Sequence, residues 1–382
     1  MRLPDSGVRN LNRRAALRLL GAVAGVSVMA RQSERSGVVG AQGTRFTSEN
    51  KGQFPEGAVI RLLLKDERPE NLGGGAFLWH EHPMISRFVS PPGATMTDGE
   101  QLQLMVDEFK AAKADGVGCI FDATHYRRTA QEFQAAKELA LRSGLPFGLG
   151  GSRDVALDKA WWNEARNKGE ERTIEDLVAD MVRESVEHRW AALGEIGTSL
   201  PMSELDRWYM KAVAKVQLQT NLRIYTHVPP EGCPSCALEQ LEFYESQYVD
   251  PKHLCIGHVA DFQIAQDPGW LTHKAIAKRG AWLGFDSLGA PLEVPSVKNE
   301  VTSAQKVKMI LQLLDAGYED QLLFSSDTYQ EKTLKANYGA GFSALTRIFL
   351  PKLRYAGVSD DVIRKITIDN PRRFFAFVPK PT

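Results

Sequence analysis

The segment GGGAFLWHEHPMIS, residues 73–86, is an apolar run that ends in two histidines, His80 and His82. Successive side chains of a β-strand point to opposite faces, so residues two apart share a face. Both imidazoles would then point at one place at the end of a buried strand. Histidine is the commonest metal ligand, so the pair indicates a metal site. The alternative is a solvated pair at a strand end, and the rest of the chain bears on that choice.

Short apolar runs alternate with longer helical patterns from about residue 75 onward. The helical stretches repeat apolar residues at helical spacing, and Gly or Asn closes several of them. Eight such units predict an α/β fold, a (β/α)8 TIM barrel, with a short N-terminal β-hairpin in GAVIRLLLKDERPENLGG. The strands are expected near 76–82, 117–123, 145–150, 190–197, 222–227, 253–258, 281–286 and 321–327.

The composition is that of an ordinary globular protein, with 382 residues, 43% hydrophobic, 25% charged and a net charge of +0. Nucleic-acid and anionic-membrane partners require a basic surplus or patch, which this balance does not supply. We therefore expect a small-molecule substrate, no nucleic-acid partner and no stable membrane anchor.

The N-terminal stretch NLNRRAALRLLGAVAGVSVMARQ differs from the rest of the chain. Arg13 and Arg14 precede an apolar run, 19–30, that is shorter than the roughly 20 residues needed to span a bilayer. This pattern predicts a signal peptide of the twin-arginine export route and a periplasmic or secreted protein. A basic amphipathic N-terminus of a cytoplasmic protein is the alternative, and cleavage after Ala30 or Ala41 stays open.

These patterns divide the chain into three segments. The expected boundaries are 1–41 for the signal peptide and cleavage region, 42–54 for a linker and 55–382 for a metal-dependent hydrolase barrel. Within the barrel, Cys233 and Cys236 form the motif CPSC, which in an exported protein favours a small loop disulfide over a redox centre. Cys119 and Cys255 lie in apolar runs and are expected to be buried.

Chemistry in such barrels takes place at the C-terminal ends of the strands. Residues of the metal-ligand type end five of the predicted strands: His80, His82, Glu195, His227, His258 and Asp327. Four of the eight histidines in the chain occupy these ends. Imidazoles and carboxylates in this number suit two divalent ions. The alternative, that each residue satisfies local hydrogen bonds, does not account for their common placement.

We assign the more buried ion to His80, His82 and Asp327, the more exposed ion to His227 and His258, and the bridge between them to Glu195. Two ions roughly 3.5–4 Å apart would generate a metal-activated hydroxide from a bridging water. Asp327 is the predicted catalytic residue, because it could accept the proton of that hydroxide during attack.

Other rim residues are candidates for a substrate pocket: His125, Tyr126, Arg153 and Tyr329. His125 could equally be an ordinary loop residue. Strand alternation also predicts that Trp79 points outward against the helices and that Glu81 is not a ligand.

Several segments together resemble the phosphotriesterase-like family of the amidohydrolase superfamily: FLWHEHPM, GVGCIFDAT, GEIGTS, IYTHVPPEG, CIGHVADFQ, LLFSSDT and GVSDDVIRKITIDNPRRFFAF. The resemblance runs from about residue 55 to the end of the chain. It implies a binuclear, usually zinc, centre with the same ligands, and a homodimer. Many members bridge their metals with a carbamylated lysine at the end of strand four. Glu195 stands there in this chain, as glutamate does in some members.

The sequence thus predicts a metal-dependent hydrolase of ester, lactone or phosphoester bonds with two divalent ions. Zn²⁺ is expected, although Mn²⁺, Co²⁺ and Fe²⁺ also accept such ligands. The alternatives are a TatD-like nuclease, which shares the motif GEIG, an amide hydrolase on the same barrel, and a non-catalytic metal-binding barrel. The complete ligand set, with Asp327, disfavours the last.

Overall fold

The computed structural model describes residues 54–83, 99–123, 129–152, 173–229, 232–289 and 301–380. Eight parallel strands follow one another in chain order and form a nearly closed barrel, which confirms the predicted TIM-barrel fold. An antiparallel hairpin precedes them, also as predicted. The strands are β1 (Ile60–Arg61), β2 (Asp66–Glu67), β3 (Ala76–Glu81), β4 (Val117–Asp122), β5 (Phe147–Gly151), β6 (Trp190–Gly197), β7 (Arg223–His227), β8 (Leu254–Ile256), β9 (Trp282–Phe285) and β10 (Leu322–Phe324).

The helices lie between the barrel strands and at the C-terminal end of the chain. They are α1 (Gly99–Ala114), α2 (Ala130–Ser143), α3 (Ile174–Glu187), α4 (Glu204–Thr220), α5 (Pro234–Ser246), α6 (Leu271–Lys278), α7 (Ser303–Asp315), α8 (Leu350–Tyr355), α9 (Asp360–Arg364) and α10 (Asn370–Phe375). Four of them begin with a capping box, as at Thr129 and Glu132 before α2. Among the described residues, no helix is long and apolar enough to cross a membrane.

A buried carboxylate joins the first barrel strand to the last. Glu81 accepts hydrogen bonds from Ser325 Oγ at 2.7 Å, Ser326 N at 2.8 Å and Thr328 N at 2.7 Å. The backbone N–H of His82 also donates to Thr328 O at 3.1 Å. Charge-assisted bonds of this kind are the stronger ones in proteins. Glu81 therefore ties β3 to the segment after β10, and these hydrogen bonds occupy both oxygens of its carboxylate.

Large aromatic side chains fill the barrel interior where glycines leave room. Tyr225 reaches across from β7 and donates to Asp122 O at 3.3 Å. The Trp79 ring lies 5.8 Å from the Tyr225 ring, and a Cβ added at Gly284 would meet Trp79 at 2.6 Å. Trp79 on β3 thus contacts strands on the far side of the barrel.

The prediction that Trp79 points outward is therefore wrong. The pairing of β3 with β4 shifts register between Leu78 and Glu81, so strict alternation does not hold there. Trp79 and His80 are consecutive, yet both rings approach Tyr225, at 5.8 and 6.0 Å.

The cysteines follow the expected pattern. Cys233 and Cys236 form a disulfide at the start of α5, where Cys233 is the N-cap residue. Cys119 and Cys255 are buried free thiols in the barrel interior. The predicted signal peptide lies outside the described residues, as does most of the predicted linker.

The tight interior gives a test of the fold. A Cβ at Gly150 would lie 2.1 Å from Tyr225 Oη and 2.6 Å from Asp122 O, whereas one at Gly73 would meet nothing within 4 Å. We expect Gly150→Ala to lower the free energy of unfolding by about 1–3 kcal/mol, as overpacking does, and Gly73→Ala to change it far less. Urea denaturation measures both variants. Equal stabilities would contradict the described packing.

Candidate metal centre

The barrel brings the predicted ligands together at the C-terminal ends of five strands. On one side of Glu195, its Oε2 lies 2.6 Å from His80 Nε2 and 3.5 Å from His82 Nε2. Asp327 Oδ1 lies 3.2 Å from His82 Nε2 and 3.8 Å from His80 Nε2. These four residues form one group around a single carboxylate oxygen.

The other oxygen of Glu195 faces a second pair of imidazoles. Its Oε1 is in contact with His227 Nδ1 and lies 3.9 Å from His258 Nε2. His258 Nε2 and His227 Nδ1 are 2.9 Å apart. The side chain of His80 is fully buried, whereas that of His227 is 30% exposed. The carboxylate thus lies between a more buried and a more exposed ligand group, which is the arrangement of a bridging ligand.

Several of these atoms are buried without a hydrogen-bond partner. They include His80 Nε2, Glu195 Oε2 and Asp327 Oδ1. Although the distances between them are short, the atoms point at a shared space and not along hydrogen bonds to one another. Buried polar atoms without partners are costly and call for an explanation. A divalent cation in this group would satisfy these atoms. Ligand atoms of Glu195, His227 and His258 lie within 4.8 Å of one another and could hold a second cation, so the residues present fit a binuclear centre.

Two of the six residues hold an uncommon backbone conformation. His258 has φ 56° and Asp327 has φ 51°, both in the left-handed region that non-glycine residues seldom adopt. Such conformations persist where the surrounding structure imposes them, and they cluster at functional sites. Each residue follows the last residues of a barrel strand, where this turn directs its side chain toward Glu195.

Imidazoles and carboxylates lie close together at the site and shift one another's pKa values. Burial alone lowers the pKa of His80, but the carboxylates of Glu195, Asp286 and Asp327 raise it to about 9. Burial likewise lowers the pKa of His82, and Asp327 with Glu195 raises it to about 10. Burial raises the pKa of Glu195, but the neighbouring imidazoles hold it well below its usual value. Without metal, protons on the imidazoles balance the carboxylates.

Asp286, after β9, supports both ligand groups and was missed in the sequence. Its Oδ2 lies 3.3 Å from His80 Nδ1 and accepts from His258 N at 2.7 Å. Its Oδ1 lies 3.2 Å from His258 Nδ1. A carboxylate behind a metal-binding imidazole fixes the orientation of the ring and makes it a better ligand. The sequence pattern that could have identified it is an aspartate directly after the apolar run WLGF, because the predicted ligands also follow apolar runs.

A second missed group lies next to His258. Asp261 Oδ2 is 3.8 Å from His258 Nδ1, and Asp261 Oδ1 accepts from the buried Lys306 Nζ at 3.0 Å and from Ser287 Oγ at 2.7 Å. Burial raises the pKa of Asp261, but Lys306 and His258 lower it to about 2. The carboxylate is therefore ionised, and it links the segments after β8 and β9 to α7.

The predicted substrate pocket is only partly described. Tyr329 is 44% exposed, and its ring lies 6.4 Å from that of His82, so it borders the site. His125, Tyr126 and Arg153 lie outside the described residues. His273, which the sequence did not assign to the site, is a structural residue. Its ring nitrogens are bonded to Asp267 Oδ2 at 2.9 Å and Val259 O at 2.8 Å.

A TIM barrel with a cluster of metal-ligand side chains at its C-terminal rim defines a metal-hydrolase fold. The model of the Phosphotriesterase family matches residues 68–375, and the chain belongs to this family.

Individual relatives are distant. N-acetyltaurine hydrolase of Salmo salar is 25% identical over 276 residues, which cover 71% of this chain and 76% of that protein. The phosphotriesterase homology protein of Escherichia coli superposes with a TM-score of 0.64 at 24% identity, covering 79% of this chain and 99% of the other. A mutant of the PTE-like lactonase of Deinococcus radiodurans gives 0.66 at 20% identity, covering 83% and 99%. These structures share the fold of the chain.

Asp286 provides a test of the support for the ligands. We expect Asp286→Asn to weaken zinc binding by about 10–100-fold, because both His80 and His258 lose an ionised partner. Competition with a chromophoric chelator measures the affinity. Asp315→Asn, at an exposed helix end, is the matched control and should bind zinc normally. An Asp286 variant with unchanged affinity would contradict this role.

The raised pKa values predict how metal binding depends on pH. At pH 7 the imidazoles of His80 and His82, with pKa about 9 and about 10, carry protons in the metal-free protein. Imidazole binds metal only when neutral, so zinc must displace these protons. We expect proton release on binding and an affinity that rises with pH toward those values. Calorimetry in buffers of different ionisation enthalpy measures the release, and binding without release would contradict it. His188→Ala, outside the cluster, should behave as wild type.

Proposed function

We propose that the protein is a binuclear metal-dependent hydrolase of small acyl substrates, with the amide bond as its first substrate class. The observation that carries the proposal is the buried carboxylate of Glu195, whose two oxygens face His80 and His82 on one side and His227 and His258 on the other. Oε2 of Glu195 is buried and lies 2.6 Å from His80 Nε2 without the geometry of a hydrogen bond, as expected of an atom turned toward a shared ligand.

In the proposed site, one group of residues would hold each metal. The more buried ion would be held by His80, His82 and Asp327. The more exposed ion would be held by His227 and His258, and Glu195 would contribute to both. Two divalent ions, with Zn²⁺ as our first assignment, would supply Lewis acidity and lower the pKa of water. The ligand set accepts Mn²⁺, Co²⁺ and Fe²⁺ as well.

The side chains of the chain contribute orientation and proton transfer. Asp286 fixes the rings of His80 and His258 from behind. Asp327 Oδ1 lies 3.2 Å from His82 Nε2 among the ligand groups, so it is placed to accept the proton of the attacking water and return it to the leaving group. Burial raises the pKa of Asp327, but His82 and His80 lower it, which keeps this carboxylate ionised and ready to accept.

The names of the relatives favour the amide class within this proposal. Several curated relatives, from Salmo salar to Homo sapiens, are N-acetyltaurine hydrolases and match 71–73% of the chain at 22–25% identity. Their name describes hydrolysis of an N-acyl bond, which was the alternative kept for this barrel. Preference for an ester, lactone or phosphoester stays a prediction from the sequence, to be tested beside the amide.

The remaining expectations concern the whole molecule. We propose export by the twin-arginine route, on the pattern in residues 1–41, with a linker at 42–54 and the hydrolase barrel at 55–382. A homodimer and a small-molecule substrate complete this proposal. Mass determination of the mature periplasmic protein and light scattering test export, cleavage and oligomeric state.

Asp327 tests the mechanism. We expect Asp327→Asn to reduce kcat by about 10²–10⁴-fold, as loss of a proton-transfer group does, while most of the metal stays bound. Hydrolysis assays with elemental analysis of the same samples separate the two effects. Asp360→Asn, an exposed surface change, is the control. Full activity of the Asp327 variant would exclude its role in proton transfer.

A substrate panel tests the bond class. We expect turnover of N-acyl amines, with weaker turnover of esters and lactones, when the metal-loaded protein is assayed with five classes at equal concentration. Phosphotriesters and DNA are the other two. Preferential cleavage of DNA would replace the proposal with the nuclease alternative. Two bound ions without turnover of any class would favour a non-catalytic barrel.

Glu195 tests the bridge. We expect Glu195→Gln to lower the metal content from about two ions per chain toward one, because an amide bridges two cations poorly. Elemental analysis of protein purified without chelator measures this content. Glu56→Gln, an exposed change near the N-terminal end of the described chain, is the matched control. Wild-type protein with one ion or none, even after remetallation, would argue against a binuclear centre.

A further inference from the structure

A cavity of about 340 Å³ lies at the end of the barrel opposite the metal centre. It is bordered by Arg223, the first residue of β7, and by His253, which precedes β8. The candidate ligands His227 and His258 stand at the other ends of the same strands, about 13 Å away for four residues of strand. Ligand pockets commonly measure roughly 300–1,000 Å³, so the cavity is large enough for a small molecule.

The Arg223 side chain is the main charged group of this cavity. Its Nε donates to Phe374 O at 2.8 Å and its Nη2 to Ala376 O at 2.6 Å. Among the described residues, no carboxylate lies within 4 Å of it, and its Nη1 has no hydrogen-bond acceptor. Burial lowers the pKa of Arg223 to about 10, so the guanidinium stays charged at neutral pH. The backbone therefore holds the guanidinium of Arg223 in place, and Nη1 stays available to bind a ligand.

His253 adds a neutral donor to the same wall. Gln217 Nε2 donates to its Nδ1 at 3.2 Å, so the proton of the ring is on Nε2, which has no acceptor among the described residues. Burial lowers the pKa of His253 to about 4, with the charge of Arg223 as the next cause. The imidazole is thus neutral at pH 7 and offers an N–H.

Two of the neighbouring cationic groups are already paired with carboxylates. Arg373 Nη2 donates to Asp320 Oδ1 at 3.0 Å, and Lys252 forms an ion pair with Asp250 at 2.6 Å. The rest of the wall is mainly apolar, with Phe54, Pro55, Ala58, Phe377 and Val378. The cavity therefore combines one unpaired arginine, one neutral N–H donor and an apolar surface.

We propose that this cavity binds a small organic carboxylate with a compact apolar body. Arg223 Nη1 and His253 Nε2 would each donate to the carboxylate, because a hydrogen bond from a guanidinium to a carboxylate is strengthened by both charges. The apolar body would pack against Phe54 and Phe377. The site is separate from the metal centre and does not depend on the proposed hydrolase activity.

Benzoate is the probe, titrated into the metal-loaded full-length protein with histidine-labelled NMR detection. We expect the ring signals of His253, assigned with the variant His253→Phe, to shift saturably. Benzyl alcohol, which lacks the charge, and inorganic phosphate, which lacks the apolar body, should bind more weakly. Changes confined to the metal-centre histidines would place benzoate on the metals and overturn the proposal. Equal binding of benzyl alcohol would also overturn it.

Arg223→Met tests the charged contact. We expect it to weaken benzoate binding by at least about tenfold, since a hydrogen bond to a charged group is worth about 1.5–3 kcal/mol. Arg347→Met removes an exposed arginine, 67% accessible and ion-paired with Asp115, and should leave binding unchanged. Arg223 also holds the C-terminal segment, so folding of the variant is checked by circular dichroism. Should the variant not fold, the comparison of benzoate with benzyl alcohol on the wild-type protein decides the question.

Discussion

The position of the Glu195 carboxylate is the constraint on which the site depends. One oxygen lies 2.6 Å from His80 and the other is in contact with His227, so imidazoles from different strands converge on one side chain. Burying so many polar atoms close together is unfavourable, because each of them loses its hydration. The barrel enforces it by bringing five strand ends to a common rim. In the metal-free protein, protons on the imidazoles compensate the charge of the carboxylates; bound cations would do the same.

The surrounding structure shows how such a cluster is kept rigid. Asp286 contacts two ligands that belong to opposite ligand groups, so the two groups are oriented by one buried carboxylate. Glu81, next to His80 in the chain, does not join the cluster and instead ties β3 to the segment after β10. Two adjacent side chains of one strand thus serve different purposes. His80 belongs to the site, and Glu81 closes the barrel around it.

The fold and the convergence of the six candidate ligands could be predicted because both depend on local order in the sequence. An apolar run followed by a polar ligand-type residue places that residue at the barrel rim, whatever the rest of the chain does. Trp79 could not be placed in this way, because a register shift in β3 depends on the pairing with β4. The role of Asp286 depends on distances between side chains of three different strands. A strand-end rule finds it as a candidate but cannot distinguish a supporting carboxylate from a ligand.

The two ends of β7 and β8 lie in different electrostatic environments. At the rim, the carboxylates of Glu195 and Asp286 lie against the imidazoles of His227 and His258. At the base, Arg223 has carbonyl acceptors but no carboxylate within ion-pair distance among the described residues. A buried cation is stable only where dipoles or anions compensate its lost hydration. The two carbonyls of Phe374 and Ala376 and the more distant charge of Asp250 provide part of that compensation, and an anion in the cavity would add to it.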